Sequence, residues 1–170
     1  MTCIEQFVKD NAALLDELKY DEFYDKIFWE ELPSYEVAEI TAIIEKCEPD
    51  FLKNMTGIYP GMFYNYQGKT LTIPSSIQTI YSSAFEDTAL ESITIPASVE
   101  EVCEYAFVDC LHLKHLTIES SKTKFEHLAL YEVSNLNVKF EGLKGEIDSE
   151  LRELVLMFDG TITYKDGTVE

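Results

Sequence analysis

The sequence predicts an α+β fold: a helical N-terminal region, residues 1–62, packed on a short repeat solenoid with a C-terminal β-hairpin cap, residues 63–170. Three observations predict it. Apolar residues recur at helical spacing up to about residue 60, and beyond residue 64 the period falls towards two. A unit then repeats at an offset of 22 residues, which is how stacked supersecondary units appear in a sequence. Near the end, Asp159-Gly160 and Asp166-Gly167 punctuate apolar runs as hairpin turns do.

In the first element Ile4, Phe7, Val8, Ala12, Leu14, Leu15 and Leu18 share one helical face. After the turn-like KYDE, the run FYDKIFWEEL places Phe23, Ile27 and Phe28 on a second short helix, with Phe23 and Phe28 expected in the core. Pro33-Ser34 interrupts it. Ser34 is a candidate N-cap for a third helix through Val37, Ile40, Ile43, Ile44 and Cys47. Glu48-Pro49 ends that helix, since a residue before proline avoids helical geometry. GIYPGMFYNYQGK, residues 57–69, reads as a link.

The repeat follows. LTIPSSIQTIYSSAF (71–85) aligns with ITIPASVEEVCEYAF (93–107), pairing Ile73 with Ile95, Pro74 with Pro96, Ile77 with Val99, Ile80 with Val102, Ala84 with Ala106 and Phe85 with Phe107. A degenerate third copy sets Ile118, Phe125, Ala129 and Leu130 in the matching places, with Glu119 in place of the proline and Lys122 in an apolar slot. Each Thr-Ile pair predicts a short strand with Ile inward and Thr outward. Proline ends the strand because it has no N–H to donate. The Ala-Phe pair returns to the same core. EGLKGEIDSELRE is expected as a loop with a helical turn at 148–153, and the segment around Asp159-Gly160 as a terminal hairpin that closes the stack.

The stretch from Leu71 to Glu119 resembles leucine-rich repeats of the BspA type, whose units read L-x-x-I-x-I-P-x-S-V-x-x-I-G-x-x-A-F-x-x-C. The I-P, A-F and D-C elements occur together at the right spacing. The family's glycine is Tyr81 in one copy and Cys103 in the next, and its cysteine is Thr88 and then Cys110. Similar proteins with a helical region ahead of a few repeats occur in bacteria and bacterial viruses. The resemblance implies binding of a protein partner and does not name it.

Composition narrows the function. The net charge of -19, from 32 acidic and 13 basic side chains, would repel phosphate backbones and anionic lipid, so no direct nucleic-acid or membrane partner is expected. With neither a basic-then-apolar leader nor an apolar span of about 20 residues, the chain is expected in the cytoplasm, or in the host cytoplasm if a virus encodes it. Its four scattered cysteines are expected to be reduced, and the acceptor pattern Asn54-Met55-Thr56 to be a chance match. Cys103, Cys110, His112 and His115 do not have the spacing of a zinc module, so neither metal nor cofactor is expected. No nucleophile elbow or phosphate loop is present, which predicts a non-enzymatic protein, monomer or homodimer.

Three candidate surfaces remain. Thr72, Thr94 and Thr117 form an outward strip with His115 beside it, the kind of strip that solenoids use for binding. Tyr24 and Trp29 are candidate aromatic anchors. Residues 1–50 carry 14 acidic and 4 basic side chains, so Asp21, Glu22 and Asp25 are candidates for a negative face that imitates nucleic acid. That face defines the alternative function, an acidic inhibitor, virus-encoded, that acts against a host defence protein.

Overall fold

The computed structural model describes residues 6, 9–11, 13, 15, 17, 19–29 and 32–170, the side chains of Trp29 and Cys47 excepted. Of the first predicted helix, Ile4, Phe7, Val8, Ala12, Leu14 and Leu18 lie outside the described residues, while Leu15 packs partly buried against the core.

Helix α1, Tyr20–Trp29, turns Tyr20, Phe23, Tyr24 and Ile27 inward at helical spacing. Phe28 is one residue round from that stripe and is 56% exposed, against the expectation that it is core. Helix α2, Ser34–Cys47, buries Val37, Ile40, Thr41 and Ile44. Ser34 is its first residue and not its N-cap; Pro33 takes the cap position without a side-chain bond. The helix stops at Glu48, as the following proline requires.

The remaining chain winds into coils that give one strand to each of two parallel sheets. The smaller sheet runs β1 (Gly57–Ile58), β3 (Thr79–Ile80), β5 (Glu101–Val102) and β7 (Lys124–Phe125). The larger runs β2 (Thr70–Leu71), β4 (Ser92–Ile95), β6 (His115–Ile118), β8 (Asn137–Phe140) and β9 (Thr161–Tyr164). The aligned residues of the repeat are literal neighbours: Ile80 pairs with Val102, Ile95 with Ile118 and Val102 with Phe125. Between the sheets the Phe63, Phe85 and Phe107 rings stack at 5.3 and 4.9 Å. Such offset contacts of parallel rings add to the area that they bury.

The expected link is the first coil. Ile58 pairs with Ile80, and Met62-Phe63 fills the place of Ala84-Phe85, so the ladder begins inside the segment assigned to the N-terminal region. Pro60, Gly61 and Met62 disguise it. Gly61 is needed there: its φ is +74°, and a Cβ would stand 2.7 Å from the Ser34 Cα of α2.

The worn third coil closes by a shift of one residue. Lys122 points to solvent, and Thr123 is buried, its hydroxyl donating to the Val99 carbonyl at 2.7 Å. Beyond it, α3 (Ser149–Met157) is longer than the expected turn, N-capped by the Asp148 side chain, which accepts from the Leu151 N–H at 3.2 Å. Its apolar residues Leu151, Leu154 and Val155 face inward at helical spacing. Asp159-Gly160 is therefore a helix-to-strand turn and not a hairpin, and β9 runs parallel to β8. The chain does reverse at the second Asp-Gly: Gly167 has φ +86° and Val169 pairs antiparallel with Thr163.

Candidate binding surface

Side chains alternate across a strand, so the larger sheet sends two residues per strand outward. One outward row is Thr70, Ser92, His115, Asn137 and Thr161. The second is Thr94, Thr117, Lys139 and Thr163, with Thr72 continuing it on the β2 side. Apolar partners Ile93, Ile95, Leu116, Ile118, Val138 and Phe140 point the other way and are buried. The strip foreseen as Thr72, Thr94, Thr117 and His115 is thus brought together. It lines one shallow open depression with Thr70, Leu71, Ser92 and Ile93.

No carboxylate belongs to either row. Asn137 is held by donating to the Lys114 carbonyl at 3.2 Å and by accepting from the Thr161 hydroxyl at 3.0 Å. Lys139 leans aside to Glu141. The face therefore offers hydroxyl, amide and imidazole groups, and its threonines, being β-branched, lose little further freedom on binding. Ser92, Asn137, Lys139, Thr161 and Thr163 were not singled out from the sequence; their signal was the same offset, carried on into NVKF and TITY.

The other candidates fare differently. Tyr24 is 1% exposed, its hydroxyl 2.7 Å from that of Thr41, because it stands on the inward stripe of α1; it packs α1 onto the first coil and is no surface anchor. Burial pushes its hydroxyl pKa well up. The Trp29 side chain lies outside the described residues. Asp21 is a structural tie: its carboxylate accepts the Thr56 N–H at 2.9 Å, the Thr56 hydroxyl at 3.0 Å and the Gly57 N–H at 3.3 Å. Glu22 and Asp25 are exposed on α1.

The residues that replace the repeat's glycine form a row of their own, Tyr59, Tyr81, Cys103 and Glu126, each following a strand of the smaller sheet. Tyr59 stacks on Tyr24 at 5.7 Å and lies tilted against Tyr81 at 4.9 Å, so it joins α1 to the coils. Burial first, then Asp21 and Asp25, holds the Tyr59 hydroxyl far above its ordinary value. Cys103 is pushed up to about 11 by burial and by Glu126 and Glu101. Cys110 is likewise raised to about 11, chiefly by burial, and donates to the Phe85 carbonyl at 2.9 Å. A thiol so raised is a poor nucleophile at neutral pH. His115 stands on the outer face of β6 and Cys110 in the core, and no group of three His, Cys, Asp or Glu side chains among the described residues is placed to hold a metal. Nor is any described helix long and apolar enough to cross a membrane.

Stacked parallel strands, one aromatic column and a flat outward face of repeated residues define a repeat solenoid. The chain matches the BspA type leucine rich repeat region (6 copies) over residues 48–150, and it belongs to that family. No curated protein and no solved structure matches it.

Proposed function

We propose that this protein is a non-enzymatic protein-protein interaction module, working in the cytoplasm, or in the host cytoplasm if virus-encoded, that binds its partner on the outer face of the five-stranded sheet. One observation supports the reading above the others. A chain with 32 acidic residues keeps carboxylates off both rows of this face. Membership of a repeat family whose domains serve as interaction surfaces agrees with it.

Affinity capture with the tagged protein, at low and at moderate salt, tests the proposal. One dominant protein should survive the higher salt, because hydrogen bonds to neutral groups are not screened as exposed charges are. The double variant Thr94→Lys, Thr117→Lys should lose it. The alternative, an acidic inhibitor that imitates nucleic acid, draws support from exposed Glu22 and Asp25. It requires capture that falls steeply with salt and disappears in Glu22→Lys, Asp25→Lys.

A further inference from the structure

The groove between α2 and the first coil carries chemistry that neither the core nor the outer face of the larger sheet uses. On α2, Ala38, Ala42 and Glu45 share one face, beside the inward stripe of Val37, Ile40 and Ile44. Across from them the first coil presents Tyr64, Asn65 and Tyr66, and the buried Met62 and Phe63 close the bottom. Together they line an open cavity of about 180 Å³. Two alanines stand where longer side chains would fill it. A cavity of about 150 Å³ admits a group the size of benzene, and a drug-sized ligand needs more than about 300 Å³, so this one suits the end of a single side chain.

We propose that this cavity is a cation subsite of the interaction module, which takes the guanidinium end of an arginine carried by a partner protein. Glu45 makes no hydrogen bond or ion pair among the described residues, so its carboxylate is open to the two parallel N–H donors of a guanidinium. It lies close to the ring opposite: the Tyr66 hydroxyl pKa is raised first by burial and then by Glu45. Tyrosine rings themselves attract a cation. Tyr66 is fixed before any ligand arrives, its ring packed edge-on to Phe63 at 5.8 Å, and a Cβ on Gly68 would stand 2.3 Å from it. A wall already set in place loses little freedom when the ligand enters.

The surroundings specify the occupant. One carboxylate does not hold a metal ion, and no group of three ligating side chains among the described residues is placed to do so. A guanidinium is planar and weakly hydrated, so it exchanges water for rings and alanines more readily than an ammonium does. The cavity also adjoins the proposed interface, because the Tyr66 hydroxyl meets the Thr70 carbonyl of β2 at 3.5 Å. A chain that seats an arginine here can run on along the threonine rows. A net charge of -19 favours a basic partner and opposes a second copy of this chain. The subsite rests on the reading of the protein as an interaction module, but it uses side chains that the face variants leave alone.

The test uses the full chain, nitrogen-15 labelled, titrated with N-acetyl-arginine N-methylamide. The citrulline analogue serves as its uncharged isostere, and free L-arginine as a third probe. The arginine derivative should shift the amides of Ala42, Glu45, Tyr64 and Tyr66 along saturable curves. The citrulline analogue should bind about tenfold more weakly, having lost the charge-assisted pair and the attraction to the rings. Glu45→Gln should weaken the arginine derivative by a similar factor. Ala42→Leu, a good helix former at an exposed position, should fill the cavity and abolish the shifts without disturbing the amides of the distal coils. No saturable shift, equal affinity for the citrulline analogue, or unchanged binding by Ala42→Leu would overturn the site. Tighter binding of free arginine than of the capped form would overturn the protein source, since only the free amino acid brings its own charged ends. In Thr94→Lys, Thr117→Lys the arginine shifts should persist even where capture of the partner fails. Shifts absent while capture stands would remove this subsite and leave the interaction module in place.

Discussion

The two ends of the solenoid are closed by different forces. At the N-terminal end, α1 and α2 are seated by buried rings and close backbone approach: Tyr24 on Tyr59, and Gly61 against Ser34. At the C-terminal end an ionic cluster is added to the buried apolar face of α3. Glu170 takes Arg152 in a bidentate pair at 2.6 and 3.0 Å, Lys144 at 2.6 Å, and the Tyr164 hydroxyl. An end held by burial responds to volume and shape and hardly to salt, whereas an end held by half-exposed charge responds to pH and ionic strength.

Between the two ends runs the column of rings, and breaking it should outweigh a change at either. Phe85→Ala empties the centre of the stack, and chemical denaturation should show a loss of about 4 kcal/mol. At the N-terminal end, Gly61→Val sets a branched side chain in left-handed backbone against α2. It should cost about 3 kcal/mol and expose the Tyr59 region to proteolysis before the distal coils. Asp21→Ala removes one carboxylate from three donors, and should cost about 2 kcal/mol without altering the C-terminal amides.

The C-terminal end should answer to acid. Its neighbours hold the Glu170 carboxyl well below its ordinary value of 4.5. A carboxyl depressed on folding stabilises above that ordinary value, and its contribution is lost as pH falls below it towards the folded value. Protection of the Ile162 amide, bonded to the Glu170 carbonyl, measured relative to its intrinsic exchange rate at each pH, should therefore fall as pH drops below about 4.5. In Glu170→Gln that protection should already be lower at neutral pH and lack the acid limb. The smallest effect expected is a gain. Asn65, Asp87, Asp109 and Glu132 occupy equivalent left-handed positions, with φ of 54°, 57°, 58° and 64°. Glutamate is the poor fit, and Glu132→Asn should raise stability by about 0.5 kcal/mol.

The middle of the molecule was legible because its units copy one another: a Thr-Ile-Pro or Ala-Phe at a fixed offset reports both the strand and the stacking. Where a copy was unique, the signal failed. The first coil hid behind Pro60 and Gly61, whose local meaning is a turn. LVLMF was read as a strand because Asp-Gly is a strong hairpin signal, yet Leu151, Leu154 and Val155 already had helical spacing. At the candidate site, the threonine strip followed from alternation alone. The role of Tyr24 did not, since an aromatic on a short helix is compatible with either side until the helix has a neighbour. Asp21 was unreadable for a related reason: its donors, Thr56 and Gly57, are more than thirty positions away.

The strand spacing also bounds the footprint. Five strands about 4.8 Å apart, all but the two-residue β2 four residues long at about 3.3 Å per residue, bound a face of at most roughly 19 by 13 Å. That is about 250 Å², against about 800 Å² per partner in a standard stable complex. A partner seated on the face alone would make a brief, easily exchanged contact. A long-lived complex must spread past the strands onto the flanking turns, so the residence time would report how much of the coil surface the partner reaches.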